Sequence, residues 1–317
     1  MDFLNVIFNI LTSGLPCCLL AVGVFLTFRL LDFADMTAEG SLLLSAALTA
    51  SCIYVGMNPF LATLLGMLIG AACGILTGCL NRVLKIPKLL SGIITLTMSS
   101  SIAMLIMGIT SPTSAFISQV PLSLESHQTI YSIFYPSSNP WGNFPTTRLI
   151  KSLVMIGIVT IAMVIIYYFF GTEYGMAIRA TGMNEKMAKS QGINTDIATI
   201  ACIAISNALI GLGGALYVQD ALTIGIGSTS GYLVVGLGSI LIGEAIFGKR
   251  SFKNWLISVA AGALVYFTII TIAMKLNLPT QLMSLLYAIL ITIALCIPLM
   301  KKGGLQALKR FGRKQLC

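Results

Sequence analysis

The chain has 317 residues, of which 57% are hydrophobic and only 9% charged, with a mean hydropathy of +0.95. A soluble domain carries about 25% charged residues, so this composition excludes a water-clothed globule. The formal net charge of +9 does not point to nucleic acid, because Lys and Arg sit in short clusters between apolar runs: Arg82, Lys85 and Lys88; Lys249, Arg250 and Lys253; and a basic tail over residues 301–317.

That spacing is the positive-inside pattern of a multi-pass protein in contact with membrane lipid. Apolar stretches of about 18–25 residues are long enough to cross ~30 Å of hydrocarbon. They are predicted at residues 3–28, 38–57, 59–81, 89–110, 149–170, 197–219, 232–248, 255–275 and 280–300. The expected fold is all-α: one polytopic helix bundle over residues 1–317, with about nine spans (eight to ten) and a broken second span. The first stretch lacks the basic n-region of a cleavable signal and reads as a retained span. The basic clusters put the loops after residues 81, 170 and 248, and the tail, in the cytoplasm. Residues 111–147 then form an external loop, with no Lys or Arg and five of the ten prolines. By this count the N-terminus is outside; an extra short crossing near residue 35 moves it inside.

The first polar interruption is "FRLLDFADMTAEGS", with Arg29, Asp32, Asp35 and Glu39. Each ionised side chain at a lipid-facing helix centre costs about 2.5–3.5 kcal/mol, so four together exclude one uninterrupted lipid-facing span. Two placements remain: a cytoplasmic turn, or a broken helix facing a protein-lined cavity. In the third predicted span Gly66, Gly70, Gly74 and Gly78 lie four apart. Lipid gives little hydrophobic drive for helix association, so such a stripe is a groove for close backbone approach, by a helix of the same chain or of a second copy. Residues 111–147 contain His127, the single histidine, which reads as a solvated side chain.

The most polar internal segment is "RATGMNEKMAKSQGINTD", within a cytoplasmic loop over residues 172–196. Ordinary connectors run about 4–6 residues; this loop is patterned as one or two short helices. Thr181 and Asn184 are candidate caps, Glu185 and Lys189 an i,i+4 pair, and Gly192 a stop. Held between two spans, it makes a docking knob for a soluble partner. Further on, Asn207 lies mid-span, Gln219 and Asp220 end that span, and Glu244 lies near the cytoplasmic end of its own. Such groups line a pathway or make interhelical hydrogen bonds. The Gly/Ser-rich "TIGIGSTSGYL" is too short to cross and is a candidate re-entrant segment.

Enzymatic readings find little support. "GEAIFGKRS" nearly spells a phosphate-binding loop, but Arg250 stands at its Ser/Thr position and an apolar helix, not a strand, precedes it. No catalytic triad and no metal-ligand spacing appears. Seven of the eight cysteines lie in or beside apolar runs, without a CxxC pair, and behave as small hydrophobes. With no ATPase motif of its own, the chain gains most from a partner that has one.

"GMAIRATGMNEKMAKSQGINTD" followed by "SNALIGLGGALY" resembles the cytoplasmic loop and following span of branched-chain amino-acid ABC importer permeases. "LDFADMTAEGS" and "VVGLGSILIGEAIFG" are similar to the tryptophan/tyrosine-type or uncharacterised branch of that family. The resemblance covers nearly the whole chain. It implies a transmembrane importer subunit in the bacterial plasma membrane, for an aromatic or branched-chain amino acid, that pairs with a second copy or a paralogue. Cytoplasmic ATPase subunits would dock at the loop and hold ATP and Mg, with no cofactor on this chain; an extracytoplasmic solute-binding protein would dock outside. Gly175, Arg179, Ala180, Asn184, Glu185, Ala188, Gly192, Ile193 and Asp196 fall on the ATPase-coupling loop. Asp32, Phe33 and Glu39 match the family's broken helix, and with Asp35, Asn207 and Glu244 are the candidate translocation-pathway residues. The family's Ala-His-Gly core is replaced here by "ADMTA", so its substrate contacts do not transfer. An ion-coupled secondary transporter using Asp32, Asp35 and Glu39, and a non-transporting scaffold, are the alternatives.

Overall fold

The computed structural model describes residues 2–110, 119–121, 129–134, 145–225, 227–249 and 251–275, with positions 285, 288, 289 and 292. Most of the predicted span 280–300, the basic tail, His127, Arg250 and most of the external loop lie outside the described residues. Those described form an all-helical bundle with one short ribbon. α1 (Asp2–Phe25) runs on through a π-turn (Leu26–Leu30); α2 is Thr37–Tyr54, α3 Pro59–Arg82 and α4 Lys88–Thr110. β1 (Gln119–Pro121) and α5 (Ile130–Phe134) precede α6 (Pro145–Phe169). Then come α7 (Glu173–Met183), α8 (Glu185–Ser190), α9 (Thr195–Ala221), β2 (Thr223–Gly225), α10 (Tyr232–Phe247) and α11 (Phe252–Lys275). β1 and β2 pair antiparallel, Val120 opposite Ile224.

Among the described residues six helices are long and apolar enough to cross a membrane: Ile10–Leu30, Pro59–Arg82, Lys88–Ile109, Leu149–Phe169, Thr195–Ala221 and Phe252–Ala273. Two further predicted spans, 38–57 and 232–248, fall on α2 and α10. α2 carries Glu39 and a run of Ser and Thr, and α10 is only 16 residues long. Among the described residues, then, six of the predicted spans are matched by long apolar helices and two more by α2 and α10, both enclosed by protein along much of their length.

α1 is the centre of the bundle. Of its apolar stretch 83% is buried, against 28% for α4 and for α6. α4 and α6 instead turn Leu90, Ile93, Leu105, Leu153, Ile161 and Ile165 outward, an apolar perimeter suited to lipid or to another membrane helix. The most extensive helix pairing is α3 with α9. The glycine stripe makes it: a methyl group at Gly74 would sit 2.8 Å from the Ala204 Cα, and one at Gly78 3.0 Å from the Ile200 Cα. Gly70 faces Gly211 across the same seam. Two backbones meet here without side chains between them, which is how helices associate where water supplies no drive.

Candidate functional site

The polar loop folds as two helices set across the ends of the spans. Thr172 has extended backbone and its hydroxyl accepts from the Gly175 N–H at 3.4 Å, starting α7. Thr181 lies within α7, is buried, and donates to the Ala177 carbonyl at 2.8 Å; the cap expected there belongs to Thr172. Asn184, again extended, ends α7 and caps α8 by accepting from the Met187 N–H at 3.1 Å. Glu185 and Lys189 pair at 3.1 Å, and Gly192 turns the chain at φ +79°. Asn194 then accepts from the Asp196 and Ile197 N–H groups to open α9.

The hairpin has two unlike faces. Ile178 and Ala188 are buried beneath it, and Gly175 lies against the Phe169 and Phe170 backbone. Tyr174, Met176, Met183 and Met187 are 80%, 53%, 89% and 63% exposed, with Lys186 among them. Arg179 lies with its guanidinium over the Phe252 ring at 5.0 Å. Gly182 lies directly on the Leu30 carbonyl, so α7 touches the end of the broken helix backbone to backbone.

Arg82, read from sequence only as a member of a basic cluster, ties this hairpin down. From the end of α3 its guanidinium donates to Glu185 at 2.7 Å and reaches Asp196 at 3.5 Å. The two carboxylates, on the side of the membrane where cations gather, were the available signal that a cation from elsewhere would meet them. The Arg82 hydrogen bond holds the Glu185 carboxyl below the ordinary carboxylate range; partial burial opposes it and Lys189 reinforces it.

The interruption at residues 31–36 breaks the helix, with Leu31, Phe33 and Asp35 buried and Asp32 and Ala34 exposed. After the π-turn, Asp32 adopts φ +50° with its side chain outward, while Lys88 donates to its carbonyl at 3.1 Å. Phe33 is fully buried and Asp35 is 5% exposed. Asp35 accepts from the Thr37 N–H at 2.9 Å and from Asn207 of α9 at 2.8 Å. Asn207 in turn accepts from Ser41 at 2.6 Å. Beside this triad the hydroxyls of Thr37, Thr77 and Thr95 form a chain at 2.7 and 2.9 Å. Buried polar groups demand partners, and this segment draws them from α2, α3, α4 and α9 together.

The six pathway candidates thus separate into groups. Asp35 and Asn207 bond to each other. Glu39 caps α10, accepting from the Gly231 and Leu233 N–H groups at 3.0 and 3.3 Å, where a carboxylate also complements the helix dipole. Glu244 stands in a third group with Arg29 at 2.6 Å, Lys249 at 3.1 Å and the Trp255 indole N–H at 2.9 Å. At the opposite end of the bundle Asp220 binds Ser13 at 3.1 Å and pairs with Lys151, and Gln219 accepts from the Ile130 N–H at 3.0 Å, fastening α5.

A helix bundle with an apolar perimeter, a broken helix with Phe33 and Asp35 buried, and a patterned hairpin at its basic end define a polytopic membrane protein. The chain belongs to the family described as branched-chain amino acid transport system, permease component, whose profile matches residues 6–295. It is a multi-pass ABC-transporter permease of the bacterial plasma membrane. It is 32% identical over 285 residues to the tyrosine transport system permease protein of Clostridioides difficile, covering 90% of this chain and 88% of that one. It is 26% identical over 271 residues to the D-allose transport system permease AlsC of Escherichia coli, covering 84% and 74%. The nucleoside ABC transporter permease NupC of Lactococcus lactis is 26% identical over 205 residues, 64% and 60% of the two chains. No solved structure gives a significant match.

Proposed function

We propose that the chain is the transmembrane subunit of an ATP-driven importer for a small amino-acid-like solute, an aromatic amino acid first. The tyrosine-system relative, the nearer in identity and coverage of those described, supports the solute class over sugars or nucleosides. Separate ATPase subunits dock on the exposed Tyr174, Met176, Met183 and Met187 face, and a solute-binding protein delivers at the opposite end. The flexible thioethers of such a face repack against a moving partner.

The observation that carries this reading is the contact of Gly182 with the Leu30 carbonyl. A partner that shifts α7 pushes on the broken helix, with no intervening side chain to absorb the motion. The helix that holds Asp35 then exchanges between two packings, each favoured by one state of the motor. Reconstitution with the ATPase subunits tests this. Substitution of Arg179, or deletion of residues 184–192, leaves membrane insertion intact and removes solute-stimulated ATP hydrolysis; unchanged stimulation in both variants refutes the reading.

A further inference from the structure

At the basic end of the bundle the end of α6, the start of α7 and the start of α11 line an open cavity of about 470 Å³. Its polar lining is Tyr167, Tyr168, Thr172, Arg179, Ser251 and Lys253, and no carboxylate is among the lining residues. Glu173, next to Thr172, lines the neighbouring groove instead. Arg179 and Lys253 make no ion pair among the described residues, and Arg179 is held in place over Phe252. Lys249, by contrast, is spent on Glu244.

The depth of the cavity follows from the apolar stretches that bound it: Leu149–Phe169 ends at its rim and Phe252–Ala273 begins there. It therefore lies at the boundary between hydrocarbon and cytosol. Tyr167 and Tyr168 stand where interfacial aromatics stand. Ile161, Ile165 and Tyr168, exposed at 62%, 61% and 70%, share one face of α6 that leads into the hydrocarbon from this rim.

We propose that this cavity seats the phosphate headgroup of an acidic phospholipid, with Arg179 and Lys253 as its cations, the Thr172 and Ser251 hydroxyls beside it, and one acyl chain along Ile161 and Ile165. Two cations, apolar surface on one side and cytosol on the other are the chemistry of a basic lipid pocket between spans. Binding stands independently of the transport reading. Arg179 belongs also to the hairpin, so Lys253 is the position to test.

The full chain is placed in nanodiscs of mixed phosphatidylglycerol and phosphatidylcholine, and retained lipids are counted by native mass spectrometry after release into detergent. Phosphatidylglycerol is retained selectively, and Lys253→Glu lowers its retention by about tenfold. Lys85→Glu, the same charge change at an exposed position of the same end, leaves it unchanged. Equal retention of both lipids, or an equal loss in the two variants, overturns the proposal. Displacement of the lipid by inorganic phosphate at matched concentration assigns the site to a soluble anion and overturns the lipid source. Displacement by the ATPase subunits alone makes the cavity part of their docking surface and overturns it as well.

Discussion

The guanidinium of Arg82, the last residue of α3, donates to the Glu185 carboxylate at the start of α8 across 2.7 Å. α3 is the helix whose glycine stripe seats it on α9, and Asp196 in the first turn of α9 lies 3.5 Å from the same guanidinium. One side chain therefore joins the end of α3 to the start of α8 and the start of α9. Arg82→Ala is expected to cost about 1 kcal/mol or less in stability, because Glu185 is 39% exposed and resolvates readily. Transport per ATP hydrolysed should nevertheless fall by up to about fivefold, the factor that ~1 kcal/mol of lost coupling gives. Paired uptake and phosphate-release assays on the same vesicles measure the ratio.

The same pair sets a pH dependence. The folded-state pKa of Glu185 lies below its unfolded value, so the contribution is fully present above the ordinary glutamate range near ~4.3 and is lost as pH falls through the lower folded value. Melting temperatures of the native chain and of Arg82→Ala should differ at neutral pH and converge as pH falls below the ordinary glutamate range. A difference that grows in acid contradicts the assignment.

Gly182 and Gly157 give a matched comparison. A methyl group at Gly182 meets the Leu30 carbonyl, whereas one at Gly157 meets nothing within 4 Å. Gly182→Ala should lower stability by about 1–3 kcal/mol through overpacking and impair coupling. Gly157→Ala should leave both unchanged or raise stability by up to ~1 kcal/mol. Thermal melts in lipid, read beside ATPase stimulation, separate the two.

Asn207→Leu removes the amide that donates to Asp35 and accepts from Ser41. It leaves a carboxyl group buried with one fewer donor, and the expected loss is about 2–3 kcal/mol. Asn207→Gln, which keeps the amide, should recover part of the stability and more of the transport than Leu does. Equal transport by the Leu and Gln variants would show that the hydrogen bond plays no part in the broken helix.

Much of this fold is written locally. Runs of apolar residues mark the long helices, and Asn184, Gly192 and the Glu185–Lys189 spacing mark the two-helix hairpin, because caps, turns and i,i+4 pairs depend on near neighbours. The partners of the charged groups are not local. Arg82 meets Glu185 across 103 positions and Arg29 meets Glu244 across 215, and no periodicity announces either. Thr172 and Thr181 are alike in sequence; the first stands at the start of α7 and accepts from Gly175, while the second, inside the helix, donates to its own Ala177 carbonyl. Hydropathy measures apolarity along a segment and not what encloses it, so α2 and α10 read as spans in the sequence although one is more polar and the other shorter than the six long apolar helices.

The most direct test is uptake of radiolabelled tyrosine into proteoliposomes holding this chain, its ATPase subunits and its binding protein. Accumulation should require ATP inside the reconstituted system's cytoplasmic face, ignore imposed proton or sodium gradients, and vanish on deletion of residues 184–192. Accumulation by the chain alone, driven by an ion gradient without ATP, would contradict the account.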